Sequence, residues 1–251
     1  MSLDGRVALV TGSGRGIGRG IALALAADGA DIVVNYRRDE DSAHQTVGEI
    51  EKLGRRAKAY PASIDDLEQD RAMVGAALAD FGHVDILVNN AGIASRGQNV
   101  SDTEPAEMER VVKTHAFGAF YLSQLLVPQM RERERGDIIM ISSIATVHMN
   151  PGGSPYNMAK AALEALAYTL GKEERKHGIR VNIVAPGLVE TEMGRRLVKG
   201  AMGVDDIGSL ASSMPFGRVC QPDDIAEVVR FLVSDKASYL TGERITVDGG
   251  G

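Results

Sequence analysis

The chain has 251 residues with 34 acidic against 28 basic side chains, a formal net charge of −6. That balance disfavours nucleic acid or an anionic membrane as the main partner, and the single cysteine, Cys220, excludes an internal disulfide and any multi-cysteine metal site. No apolar run approaches the roughly 20 residues of a membrane span, and the opening MSLDGRVALVTG lacks a secretory pattern, so a cytoplasmic protein without a metal is expected.

Short β-rich runs alternate with longer helical stretches: RVALVT, DIVVNY, RAKAYP, DILVNN, DIIMISS, IRVNIVAP and RITVDG. This rhythm predicts βαβ units, and the continuously apolar strands predict a parallel sheet covered by helices on both faces. No composition shift or linker interrupts it. The expectation is one α/β domain over 1–251, a Rossmann-type doubly wound sheet of about seven strands.

Directly after the first strand come Gly12, Ser13, Gly14, Arg15, Gly16, Ile17 and Gly18, then an Ala/Leu-rich helix reaching Ala27. Glycines allow a tight turn and close backbone approach, and the following helix start offers free N–H groups to a pyrophosphate. The second strand ends at Asn35 and Tyr36, followed by Arg37 and Arg38 instead of an acidic residue. Together with Arg15, these cations suit a ribose 2′-phosphate, so NADP(H) is expected over NAD(H). The competing reading pairs Arg37 and Arg38 with Asp39, Glu40 and Asp41 on a solvated helix start.

Further along, DIIMISS ends in Ser142 and Ser143, and Tyr156 and Lys160 follow at helical spacing. Residues four apart share a helix face, so the phenol and the ammonium lie side by side. A second Tyr-x-x-x-Lys pair, Tyr168 and Lys172, sits roughly 18 Å along the same helix with no serine strand end behind it, and reads as surface. In the first trio, Tyr156 is the candidate general acid or base, Ser143 the donor to a substrate oxygen, and the Lys160 cation an influence favouring phenolate. The segment from Val189 to Pro215 breaks the strand–helix rhythm just after Pro186 and Gly187, and is expected to be a substrate lid.

These residues resemble the short-chain dehydrogenase/reductase family across nearly the whole chain. The matching elements are TGSGRGIG at 11–18, NNAG at 89–92, Ser143 with Tyr156 and Lys160, APG at 185–187 with Thr191, and the ending SYLTGERITVDGG. The nearest flavours are the 3-oxoacyl-carrier-protein reductases and the bacterial glucose dehydrogenases. The resemblance implies hydride transfer between NADP(H) and a carbonyl or secondary alcohol, usually in a homotetramer. It assigns Tyr156 as acid/base, Ser143 to the carbonyl oxygen, and Lys160 to both the Tyr156 proton and the nicotinamide ribose. It also places Asn90, Ala91 and Gly92 along the adenosine ribose, Asn89 between central strands, and Pro186, Gly187, Val189 and Thr191 at the nicotinamide and pyrophosphate.

Two positions depart from that pattern. His115, in HAFG, stands where the family usually has an asparagine that holds a relay water, and a cationic histidine there predicts retained but pH-shifted activity. Ser63, followed by Ile64, replaces an aspartate that accepts from the adenine amino group; a hydroxyl can accept the same bond without charge. Within this class, Arg195, Arg196 and Lys199 would suit an acidic acyl carrier, whereas His148, Asn150 and Ser154 would suit a sugar or polyol. A non-catalytic NADP(H) sensor is the alternative outside it.

Overall fold

The computed structural model describes residues 2–250. Its sheet has seven parallel strands in the order β3-β2-β1-β4-β5-β6-β7. In chain order they are β1 Val7–Val10, β2 Asp31–Tyr36, β3 Ala57–Pro61, β4 Ile86–Asn89, β5 Gly136–Ile141, β6 Ile179–Pro186 and β7 Arg244–Val247. The helices between them are α1 Gly16–Ala27, α2 Glu40–Lys52, α3 Leu67–Phe81, α4 Pro105–Val112, α5 Gly118–Met130, α6 Ala145–His148, α7 Ser154–Glu174, α8 Glu192–Met202 and α9 Pro222–Leu232. The expected architecture is therefore present.

Alternate residues of each buried strand serve opposite faces. Leu9, Leu87, Ile138, Met140 and Ile183 pack against α3, α5 and α7 through Met73, Leu122, Leu126 and Leu163. Val10, Val34, Val88, Ile139 and Val184 pack against α1, α2 and α9 through Ile21, Leu25, Ile50 and Val229. Both faces are apolar, which is why the strands read as unbroken hydrophobic runs.

The strand order reverses between β1 and β4, where Val10 pairs with Val88. Crossovers leave in opposite directions there, opening a crevice at the carboxyl ends of the strands. The amino ends are closed by ion pairs instead. Asp137 receives Arg6 at 2.7 Å, Arg135 at 3.0 Å and Arg180 at 2.6 Å, and Asp85 receives Arg133 at 3.0 Å.

Two local features bear on the chemistry or the stability. Between α4 and α5 the chain widens into a π turn, Lys113–Phe117, so the long segment after NNAG is one helix with a bulge at His115. On α3, Asp70 is fully buried and neither carboxyl oxygen has a hydrogen-bond partner.

Candidate active site

β5 stops at Ile141, and Ser142 and Ser143 follow in the turn toward α6. α7 then begins at Ser154 with Pro155 in its first turn, where a missing N–H costs nothing. The helix carries Tyr156 and Lys160 back over that strand end. Lys160 is buried; its Nζ donates to the Ile141 carbonyl at 2.6 Å and lies 5.7 Å from the centre of the Tyr156 ring. Ser143 Oγ accepts from the Ala145 N–H at 3.2 Å. Tyr168 and Lys172 are exposed, as the sequence suggests.

The electrostatics differ from expectation. Burial pulls Lys160 down to about 7, with Glu164 opposing, so its cation is only marginally held. Burial also pushes Tyr156 up, and the Ser143 hydroxyl works in the other direction. The expected net pull of Lys160 toward phenolate is outweighed because both groups are desolvated together.

His115 sits 5.2 Å from Tyr156, ring centre to ring centre, at 85°. Its Nε2 lies 2.8 Å from the Ile93 carbonyl and 3.2 Å from the Ile93 N–H, while Nδ1 is buried without a partner. One nitrogen cannot donate and accept at once, so one Ile93 group goes unmet. Burial, and then the Lys160 charge, pull His115 down to about 3. It is neutral at any working pH, which removes the cause proposed for a pH-shifted activity.

At the reversal point, the glycine turn is braced by residues around it. Gly12 donates to Asn35 Oδ1 at 3.1 Å, and the Asn35 amide reaches the Ala62 carbonyl at 3.2 Å. The Asn90 and Ala91 N–H groups both donate to Thr11 Oγ1 at 2.9 Å, and Asn90 Nδ2 donates to the Thr11 carbonyl at 2.8 Å. Gly12 and Gly16 have φ of +62° and +56°, a region that glycine enters freely. A Cβ on Gly18 would lie 2.5 Å from the Gly12 carbonyl. The cradle is as tight as a backbone-bound pyrophosphate requires, and the first N–H groups of α1 face it.

Ser13 departs from its expected role. Its N–H donates to the Asn35 carbonyl at 3.0 Å and its hydroxyl to the Val10 carbonyl at 2.7 Å, so it serves the turn itself. Thr191 caps α8 by accepting from the Gly194 N–H at 3.0 Å, and its methyl lies 3.4 Å from where a Gly16 Cβ would stand. That places it beside the cradle. Pro186 accepts from the Ile144 N–H at 3.0 Å and Gly187 donates to Val247 at 2.9 Å; Val189 is buried in a bridge with Cys220.

Arg37 and Arg38 are exposed and form no ion pair among the described residues. Asp39, one of the partners in the competing reading, instead caps α2 by accepting from the Ser42 N–H at 3.2 Å. Arg15 is already engaged with Glu192 of α8, and with Asp39 at 4.0 Å. The three cations therefore do not stand equal. At the adenine end, the Ser63 hydroxyl donates to Asp65, which leaves its lone pairs free to accept. Ile64, next in sequence, is buried.

The segment 189–215 is helical, with α8 and a 3₁₀ stretch Ile207–Ser213 packed on a small core of Val198, Ile207 and Val219. Its cations are paired: Arg195 with Glu190 at 2.7 Å, Lys199 with Asp205 at 2.7 Å, and Arg196 with Glu192. The side chains it leaves exposed include Met193, Leu197 and Met202, and beyond Ser143 the exposed residues include Val147 and Met149. His148 and Asn150 are exposed beside them.

Sequence reasoning passed over Thr11, Asn35, Glu164 and Arg244. Asn35 carried a signal, since a polar side chain closing a buried apolar strand needs partners. Glu164 Oε1 accepts from Ser142 at 2.6 Å and from Arg244 Nε at 3.0 Å, a link between α7 and β7 that no local pattern announces.

Comparison with known proteins extends this geometry. The sequence profile of the enoyl-(acyl carrier protein) reductase family matches residues 12–251. An uncharacterized oxidoreductase of Methylorubrum extorquens is 41% identical over 254 residues, covering 99% of this chain and 98% of that one. A 3-oxoacyl-[acyl-carrier-protein] reductase of Staphylococcus aureus is 38% identical over 243 residues, covering 97% and 96%. A crystal structure of a short-chain dehydrogenase from Burkholderia cenocepacia in complex with NADP superposes with a TM-score of 0.90 at 35% identity, covering 99% and 98%.

Proposed function

Because the chain belongs to the short-chain dehydrogenase/reductase family, we propose that it is an NADP(H)-dependent carbonyl reductase whose acid/base centre is Ser143, Tyr156 and Lys160. The observation that carries this reading is the convergence of the trio: Lys160, tied to the strand end that delivers Ser143, lies under the Tyr156 ring. When bound, the nicotinamide supplies or accepts the hydride.

The chain's own residues manage the oxygen and its proton. In reduction, Tyr156 Oη gives its proton to the substrate oxygen while Ser143 Oγ donates a second hydrogen bond to it. A phenol pushed up by burial rests protonated, which suits it as an acid. The Lys160 ammonium then offsets the phenolate left behind until solvent returns the proton. In oxidation the same steps run backward.

For the cofactor, Gly12, Gly16, Ile17, Gly18 and Thr191 would hold the pyrophosphate, and Arg37 and Arg38 the 2′-phosphate, with Arg15 shared from Glu192. No carboxylate stands at 37 or 38 to take a ribose hydroxyl. Ser63, Ile64, Asn90, Ala91 and Gly92 would line the adenosine, and Pro186, Gly187 and Val189 the nicotinamide.

For the substrate, exposed Val147, Met149, Met193 and Leu197 favour a carbonyl compound with an apolar arm, such as a 3-oxoacyl thioester, over a polyol. The paired lid cations give less support to an acidic carrier than their sequence suggests. No described helix is long and apolar enough to cross a membrane. A cytoplasmic homotetramer fits the exposed Phe117, Phe120, Met158 and Tyr168 on the outer helices.

The test is NADPH oxidation over acetoacetyl thioesters, diketones and aldoses, with NADH in parallel. Reduction of a thioester or diketone, lost in Tyr156→Phe while NADPH still binds, is the expected result. Full turnover by Tyr156→Phe, or none by the parent on the whole panel, sinks the reading.

A further inference from the structure

Glu164 lies one helical turn beyond Lys160, on the same face of α7. Its Oε1 accepts three hydrogen bonds: from Ser142 Oγ at 2.6 Å, Thr146 Oγ1 at 2.9 Å and Arg244 Nε at 3.0 Å. Ser142 precedes Ser143 in the turn after β5, and Thr146 lies in α6 just beyond it. Arg244 Nη2 also donates to Thr146 Oγ1 at 3.0 Å and to the Ser143 carbonyl at 3.3 Å, and its Nη1 donates to Thr246 Oγ1 at 2.7 Å. The two side chains are only 13% and 17% exposed, so their charges are poorly screened by solvent.

This network joins α7, the turn after β5, and β7. Two of its bonds reach the trio's turn directly, one at Ser142 and one at the Ser143 carbonyl. The charges around it are few. Lys160 faces Glu164 and Tyr156 on its own helix and neutral His115 on the π turn; Arg244 approaches from β7. β5 and the turn after it contribute the Ile141 carbonyl and uncharged hydroxyls, and α4 and β6 supply no ion-pair partner to either residue among the described contacts.

We propose that Glu164 and Arg244 are positioning residues of opposite electrostatic effect: Glu164 sustains the Lys160 ammonium, Arg244 tempers Glu164, and together they fix the turn that aims Ser143. The assignment rests on the trio being the acid/base centre. A carboxylate beside a buried ammonium favours its charged form, and a guanidinium on that carboxylate weakens the effect. Loss of Glu164 charge therefore lowers the pH at which Lys160 gives up its proton. Loss of Arg244 charge raises it. A purely structural pair would not produce shifts of opposite sign.

The direct readout needs no substrate. Protein carrying [ε-13C]lysine is titrated by NMR, with the Lys160 signal assigned by its absence in Lys160→Met. Glu164→Gln keeps an oxygen to accept from Ser142 and Thr146 and removes only the charge; its Lys160 midpoint is expected to fall by about half a pH unit or more, and that of Arg244→Met to rise by a similar amount. Glu173→Gln, an exposed charge change further along the helix, leaves it unmoved. Shifts of the same sign, or none, overturn the proposal, and Arg244→Met alone decides it if Glu164→Gln fails to fold.

Turnover separates this proposal from the reading beneath it. With acetoacetyl-CoA and NADPH, the alkaline limb of kcat moves with the Lys160 midpoint in each variant. Should Tyr156→Phe keep full turnover, the trio reading fails even if Lys160 titrates as expected. Should Tyr156→Phe be inactive while the limb stays fixed in both variants, the positioning role fails and the trio stands.

Discussion

The His115 ring meets the Tyr156 ring edge to face, 5.2 Å between centres, so the histidine forms a wall of the acid/base site. Pulled down to about 3, it stays neutral, and its titration cannot shape a pH profile in the physiological range. An asparagine amide has both a donor and an acceptor for the two Ile93 backbone groups that Nε2 serves alternately. His115→Asn is expected to keep the parent's kcat profile from pH 5 to 9, with an unchanged or higher urea midpoint. His115→Ala leaves a hole under Tyr156 and should lose about 2–4 kcal/mol in the same unfolding assay. A profile limb that moves in His115→Asn refutes the neutral-wall account.

Gly92 and His115 are fitted to each other. A Cβ at position 92 would overlap His115 Cε1, with Nδ1 3.1 Å away. Gly92→Ala should therefore destabilise the chain or displace the ring, and the penalty should shrink in a His115→Ala background. Such coupling is expected only between residues in contact. Equal losses in the two backgrounds, measured by urea denaturation, would show that the ring is not what the glycine accommodates.

Arg37 and Arg38 have no carboxylate partner among the described residues, so a 2′-phosphate meets them without first breaking an ion pair. Replacing both with Ala should weaken NADPH binding by about tenfold to a hundredfold, the loss of one or two charge-assisted contacts, and leave NADH binding nearly unchanged. Fluorescence titration at two salt concentrations checks this, because the difference between parent and variant should contract as salt rises. Equal weakening of both dinucleotides would remove the arginines from the 2′ position.

Asp70 offers a pH dependence unrelated to chemistry. Burial first, then Asp66 and Asp65, push its carboxyl up to about 8. Below about pH 4 the group is protonated in both folded and unfolded chains; between about 4 and 8 only the folded chain holds the proton. Since the unfolded state then binds fewer protons, this residue's contribution falls as pH rises through that window and levels off above it. Asp70→Asn should gain stability relative to the parent as pH increases from 4 to 8. A parent–variant difference in thermal midpoint that is flat with pH would contradict the assignment.

The sheet, the glycine turn and the Ser143, Tyr156 and Lys160 trio were legible because each depends on local order: an apolar strand, a turn residue, a helical spacing. What escaped was set by distance in sequence. The brace of Asn35 on Gly12 spans 23 residues, and the contact of Glu164 with Arg244 spans 80. Charge assignments were read least well. Sequence shows that Arg15, Arg195 and Lys199 are basic, but only the fold shows that carboxylates already hold them. The same holds for His115, whose charge depends on a burial that its neighbours in sequence do not reveal.

The sheet's two rims are built from different materials. At the amino rim, Asp85 and Asp137 gather Arg6, Arg133, Arg135 and Arg180 into a charged clasp; at the carboxyl rim lie the glycine turn, the Ser143 turn and the first two turns of α7 that carry Tyr156 and Lys160. The strands between them are only four to eight residues long, yet they keep the two rims from sharing any side chain. Changes at one end can therefore accumulate with little consequence at the other. A scaffold so divided can exchange its substrates, by rewriting loops at one rim, while the clasp at the other goes on holding the same two layers of helices against the same sheet.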